Sequence, residues 1–229
     1  MTLYGDQDLS IIRQYPANRK PIITNLVDEH QQAEMYRFVQ SQIDMWRQAY
    51  WISPLVEESE KLEHVSVAET SEKLRNIFPH ATVGMLHGRM KQVEKDSIMD
   101  EFIRWDVEIL SSTSVVEVGV DNQNATVMCI ENAEKFGLSQ LHQFRGRVGR
   151  WEHQSYCYLI TDKQYNSRLK AMVETNDGFE LSEIDLELRG PGEVYGVRQS
   201  GIPDLKLASM TDMEMIYEVR KDIEDYLWI

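Results

Sequence analysis

What this chain lacks narrows the field before any motif is considered. It has only two cysteines, Cys129 and Cys157, both inside apolar stretches and without ligand-like spacing. A disulfide framework is therefore excluded, and two buried reduced thiols are expected. No run approaches the roughly 18 consecutive apolar residues that a membrane helix needs. The start, MTLYGDQDLS, has no basic region followed by an apolar one, so no signal peptide is expected and the chain reads as cytoplasmic. Positive charge is scarce: 24 Lys and Arg stand against 38 Asp and Glu, a formal net charge of -14. That balance argues against wholesale wrapping of nucleic acid, whose affinity comes largely from phosphate neutralisation. It leaves room for a local basic site, because much of the excess acid sits near the C-terminal end, from Asp204 to Asp225.

What is present is an alternation of helical and strand patterns over a length that can bury one full-sized core. From Asp28, read as a helix cap, Tyr36, Val39, Ile43 and Trp46 recur at helical spacing. The stretches AYWISPLV, ATVGMLHG, VEILSST, ATVMCIEN and SYCYLIT read as strands, separated by helices near 70–78 and 92–103. Nearly continuous apolar character suits a parallel sheet covered on both faces. The expected fold is therefore α/β: a doubly wound parallel sheet with helices on both faces, followed by a small helical element. The expected division is a lead-in over 1–27, the α/β lobe over 28–162, and a helical element over 163–229.

In an open α/β sheet, ligands sit at the carboxyl ends of strands. Three polar segments are expected there: HGRMK (87–91), STSVVEVGVD (112–121) and QLHQFRGRVGR (140–150). Each carries arginines, lysine, hydroxyls or glycine amides suited to phosphate. Taken singly, each also fits a surface loop or a helix cap. Together, at one edge, they point to a phosphate-bearing ligand. In the third segment, Gln143 and Arg147 fall one turn apart on a helical reading, and Arg150 projects beyond.

QxxGRxxR, here Gln143 to Arg150, resembles the sixth motif of superfamily 2 helicases and translocases, and STSVVEVGVDNQNA resembles their fifth. IENAEKFGLSQLHQFRGRVGR is similar to the RecG and transcription-repair coupling branch. GFELSEIDLELRGPGEVYGVRQSG resembles the translocation motif that those two families share. TLYGDQDLS, HGRMK, IENAE and RGPGE favour the RecG side. The resemblance implies a RecA-like lobe from an ATP-dependent, double-stranded DNA translocase that remodels stalled forks and branched intermediates. It implies Arg147 and Arg150, with Gln143, as catalytic groups reaching ATP phosphates, and Gly119 and Asp121 near the nucleotide. His87, Arg89, Lys91, Ser112 and Thr113 are implied along the DNA path, and Arg168, Arg189 and Gln199 in coupling. Arg145 lies outside the motif frame and receives no role.

The chain contains no GxxxxGK[ST] phosphate loop. Asp28-Glu29-His30-Gln31 superficially looks like a DExH magnesium site but precedes a helix in the lead-in, where capping by Asp28 is the better reading. No metal site is expected. ATP and magnesium are expected to be held mainly by a first motor lobe that, with a wedge domain, lies outside this chain. The expected partners are thus branched duplex DNA and those domains, and the chain alone should hydrolyse nothing measurable. Two other readings remain open at this point: the second lobe of a transcription-repair coupling translocase, or a non-catalytic interaction module.

Overall fold

The structure is a computed structural model that describes residues 20–54, 60–113, 122–149, 153–163 and 166–189; the side chains of 60–66 and 189 are outside it. Six parallel strands form one sheet: β1 (Ile23–Val27), β2 (Gln48–Ile52), β3 (Val83–Leu86), β4 (Ile109–Ser112), β5 (Ala125–Ile130) and β6 (Tyr156–Ile160). Their order is β1-β6-β5-β2-β4-β3. Helices α1 (Gln32–Asp44), α2 (Glu60–Ile77), α3 (Gln92–Ile103), α4 (Leu138–Arg145), α5 (Ser167–Glu174) and α6 (Gly178–Arg189) accompany it. The doubly wound α/β expectation holds.

The central strands β2, β4 and β5 are buried at every position, which is why they read as apolar runs rather than alternating ones. Alternation reappears in which core each side chain joins. Tyr50, Ile52, Met128, Ile130, Cys157 and Leu159 pack with Phe102 of α3, Leu138 and Leu141 of α4, and Leu169 of α5. Ala49, Trp51, Val127, Cys129, Tyr158 and Ile160 face the other way, onto Met35 and Val39 of α1 and Leu74 and Phe78 of α2. The two cysteines are free, buried and on opposite faces of neighbouring strands.

Three local expectations are corrected. Residues 23–27, inside the segment read as a lead-in, form β1, which pairs in parallel with β6 from Ile23↔Tyr156 to Val27↔Ile160. As an edge strand it is half exposed, so ITNLV showed no apolar run. Asp28 does not cap α1, whose N-cap is Gln31. Instead its Oδ1 accepts from Gln31 N at 3.0 Å while Gln31 Oε1 accepts from Asp28 N at 3.2 Å, closing a turn ahead of the helix.

The third concerns Trp46, which belongs to no buried helical face. It lies past the end of α1 in the left-handed region (φ 60°) and is 76% exposed. Trp46 N donates to Ile43 O at 2.8 Å and Arg47 N to Gln42 O at 3.0 Å. This pair of bonds is a Schellman termination, with tryptophan at the position that glycine ordinarily takes. Helix α3 ends the same way: Trp105 (φ 71°) donates to Phe102 O at 3.3 Å, and Asp106 N to Glu101 O at 2.9 Å.

Candidate functional site

The polar segments do not share one edge of the sheet. At the carboxyl edge, β3 runs directly into His87, which is buried, and Met90 N closes a turn onto His87 O at 3.2 Å. Arg89 and Lys91 are exposed beyond it. Lys91 N is held by Glu94 Oε2 at 3.0 Å, and Lys95 Nζ donates to Gly88 O at 2.8 Å, so the loop is pinned to the start of α3. Next to β3, strand β4 ends in Ser112, followed by Thr113; both are fully buried, and Ser112 Oγ donates to Thr113 O at 2.9 Å. These five residues therefore gather at the carboxyl ends of β3 and β4.

A cluster that sequence reasoning missed lies beside them. Glu131, immediately after β5, accepts from Lys73 Nζ at 3.1 Å and, through its other oxygen, from Ser53 and Thr70 hydroxyls at 3.4 Å. It ties α2 to the ends of β2 and β5. Although partial burial acts to lower it, the Lys73 ammonium is held above its usual value by Glu131 and Tyr36. A carboxylate following directly on the apolar run ATVMCI was the available signal.

The arginine segment departs from the expected edge. Helix α4 begins after β5 and runs back across the sheet, and its following turn reaches the amino edge. There a Cβ on Gly149 (φ +75°) would lie 2.7 Å from Cγ1 of Ile22, the residue before β1. Ile23 N also donates to Ser155 O at 3.0 Å at that edge. An eight-residue helix covers about 12 Å, roughly the length of the strands it recrosses. Gln143 is exposed on α4, and Arg147 follows, half-buried, where its N donates to Phe144 O at 2.9 Å. Asn122, in the later part of the fifth-motif segment, is also at the amino edge, with Nδ2 donating to Gln48 Oε1 at 3.1 Å. The expectation of three segments at one edge thus becomes two sets: 87–91 with 112–113 at the carboxyl ends, and Asn122 with 146–149 at the amino ends. Arg150, Gly119, Asp121 and Gln199 lie outside the described residues.

Arg145, left without a role by the motif frame, is 2% exposed. Its Nη1 donates to Met172 O at 2.6 Å, Thr175 O at 2.9 Å and Thr24 Oγ1 at 3.4 Å, and its Nη2 meets His142 Nδ1 at 3.2 Å. It therefore caps the C-terminal end of α5 and ties it to α4 and β1. Helical phase would have found it, since Leu141, Phe144, Arg145 and Val148 share one buried face. Arg168, at the start of α5, donates from Nη2 to Glu134 O at 3.3 Å. Arg189 ends α6, and its side chain lies outside the described residues. Among the described residues, no three His, Cys, Asp or Glu side chains converge to hold a metal, and no helix is long and apolar enough to cross a membrane.

Comparison with known proteins agrees with the fold. Residues 22–152 match the helicase conserved C-terminal domain, and residues 175–227 match the C-terminal part of domain 3 of the ATP-dependent DNA helicase RecG. The RecG of Synechocystis is 47% identical over 229 residues, covering 98% of this chain and 28% of that protein. The RecG of Bacillus subtilis is 47% identical over 227 residues, covering 97% of this chain and 33% of that protein. The chain thus spans about a third of the length of these curated relatives. A solved structure of RecG bound to a three-way DNA junction superposes with a TM-score of 0.69 at 36% identity, over 92% of this chain and 27% of that one. With a helicase C-terminal lobe and a RecG-specific region following it in one chain, this protein belongs to the RecG family.

Proposed function

We propose that this chain is the second motor lobe and translocation element of an ATP-dependent double-stranded DNA translocase acting on stalled forks and branched intermediates in the cytoplasm. The junction-bound RecG structure supports branched DNA as the substrate class. The observation that carries the reading is the separation of the polar segments to opposite edges of one sheet. Arg147 and the turn through Gly149 serve one ligand at the amino edge, and the motifs assign Gly119, Asp121 and Arg150 to the same ligand. His87, Arg89, Lys91, Ser112 and Thr113 serve another at the carboxyl edge. A motor that converts nucleotide chemistry into movement needs two such sites on one rigid body.

In this reading Arg147 and Arg150, with Gln143 nearby in the motif, present positive charge to the polyphosphate as charge develops in phosphoryl transfer. Fingers of this kind contribute about 10³ to 10⁵ in rate. Magnesium and most of the nucleotide are held by a first lobe elsewhere in the full-length protein, and no step is assigned to them here. Arg168, Arg189 and Gln199 act in coupling, so their loss impairs junction remodelling more than ATP turnover. The division into a lobe that begins with β1 and runs to 162, rather than one starting at 28, and a coupling element over 163–229 is part of the same proposal.

The test is made on the full-length protein. Arg150→Ala abolishes DNA-stimulated ATP turnover while nucleotide binding changes much less. Normal turnover by that variant overturns the finger assignment. Appreciable ATPase from this chain alone overturns the account of how the motor is divided.

A further inference from the structure

Arg47 occupies a position that no motif marks, and its guanidinium joins two segments that are far apart in sequence. Its Nη1 donates to Asn124 Oδ1 at 2.9 Å, and its Nη2 lies 3.2 Å from His153 Nδ1. A guanidinium only donates, so Nδ1 of His153 is the acceptor and the ring proton sits on Nε2. Asn124 is itself fully engaged: Nδ2 donates to Trp46 O at 2.6 Å and its backbone N to Asn122 Oδ1 at 3.0 Å. Asn122 continues the network to Gln48 Oε1 at 3.1 Å, and Gln48 Nε2 donates to Val107 O at 2.6 Å and to Phe102 O at the end of α3. Gln48, Asn122 and Asn124 are all buried, so these bonds form in low dielectric, where a satisfied amide network is stiff.

The sequence positions give this network its meaning. Asn122 and Asn124 lie near the end of the fifth-motif segment, just after Asp121, and His153 stands three residues after Arg150, the last of the sixth. Arg47 is placed independently of both, by the Schellman bond from its backbone N to Gln42 O at 3.0 Å. We propose that Arg47 is a positioning residue for ATP turnover, a planar fork that sets the exits of the two nucleotide-facing segments relative to each other. On this proposal it acts through its neighbours rather than by contact with nucleotide or DNA. The proposal rests on the reading above that these two segments face the nucleotide.

The experiment uses full-length protein and steady-state ATP hydrolysis on a branched duplex. Arg47→Ala lowers kcat per folded molecule by about tenfold, since small misplacements of positioned groups cost up to about 10²-fold, with KM for ATP and DNA affinity little changed. His153→Ala, on an exposed ring, lowers kcat alike, and the double variant falls no further. His153→Gln, which restores an acceptor, recovers most of the rate. Arg47→Lys recovers only part, because an ammonium is a point donor without the planar fork. If Arg47→Ala and His153→Ala turn over normally while Arg150→Ala is dead, this inference fails alone. If Arg150→Ala also turns over normally, the underlying reading fails with it. A lowered melting temperature with kcat per folded molecule unchanged shows a merely structural role and also overturns the proposal.

Discussion

The guanidinium of Arg145 donates to the carbonyl of Met172 at 2.6 Å, two residues before α5 ends, and to that of Thr175 at 2.9 Å just beyond it. The last carbonyls of a helix lack partners within it and carry the negative end of its dipole. A buried cation at that end binds the two helices and β1 into one body. Arg145→Ala leaves those carbonyls buried without this donor and is expected to destabilise the chain by about 3 kcal/mol. Arg145→Lys is expected to lose less, because an ammonium keeps a charged donor there, but still some, because it cannot span the same fork of acceptors. Denaturant unfolding of the two variants measures both, and equal losses would show that packing, rather than the fork, is what matters.

Gly149 lies in the same sequence segment but is constrained by backbone and space. Its φ is +75°, and a Cβ would stand 2.7 Å from Ile22 Cγ1 and 3.0 Å from Ile22 Cδ1. Left-handed backbone costs an L-residue about 1–2 kcal/mol, before any displacement of the residue that leads into β1. Gly149→Ala is therefore expected to lower stability by about 2 kcal/mol. Because Ile22 must yield, the β1 edge should loosen first. Hydrogen exchange at Ile23 and Asn25 checks this, with β4 amides as the unaffected control.

How far the sequence could be read depends on what decides each feature. Strands β2, β4 and β5 are covered on both faces, so burial wrote itself into continuous apolar runs. Strand β1 is covered incompletely, and ITNLV carries no comparable mark. Element order was legible, but which edge a residue reaches was not. Recognising that α4 follows β5 does not say where the turn after Gly146 ends, and that turn moved Arg147 away from His87 and Ser112. The end of α1 was missed because tryptophan stands where glycine ordinarily announces a Schellman turn, whereas α3 ends at Ile103 as its pattern indicated. Arg145 is the opposite case: its place on the Leu141–Phe144–Val148 face was present in the helical phase, while attention to charge alone pointed outward. Glu131 and Arg47 act through partners 58 to 106 residues away, and no local pattern encodes such pairings.

Trp46 offers a substitution expected to stabilise. It holds φ 60° with its side chain 76% exposed, so it bears left-handed strain while burying little. Glycine suits that conformation, and its greater freedom in the unfolded chain offsets only part of the relief. Trp46→Gly is expected to raise stability by about 0.5–1 kcal/mol. Asn124 bonds the carbonyl of residue 46, not its side chain, so the amino-edge network should survive. A rise in the denaturation midpoint with unchanged slope is the expected result; a fall would mean that the indole contributes packing that outweighs the strain.

The two thiols make the pH dependence of stability calculable in sign. Burial, eased slightly by the Arg145 guanidinium, pushes Cys157 from its ordinary 9.0 up to about 12, and burial raises Cys129 well above 9.0. Between pH 9 and about 12 the unfolded chain has released the Cys157 proton while the folded one retains it, and the Cys129 proton is likewise retained in the folded chain well above pH 9. Stability contributed by the neutral thiols is therefore fully present below pH 9 and falls as pH rises, by at most about 1.4 kcal/mol per unit for each thiol. At neutral pH the thiolate required for alkylation is also scarce. Iodoacetamide should therefore label neither cysteine in the folded chain and both in denaturant, and replacing both by alanine should flatten the alkaline limb of the stability curve. Ready labelling of the folded chain at pH 7.5 would mean that β5 and β6 open far more often than their burial implies.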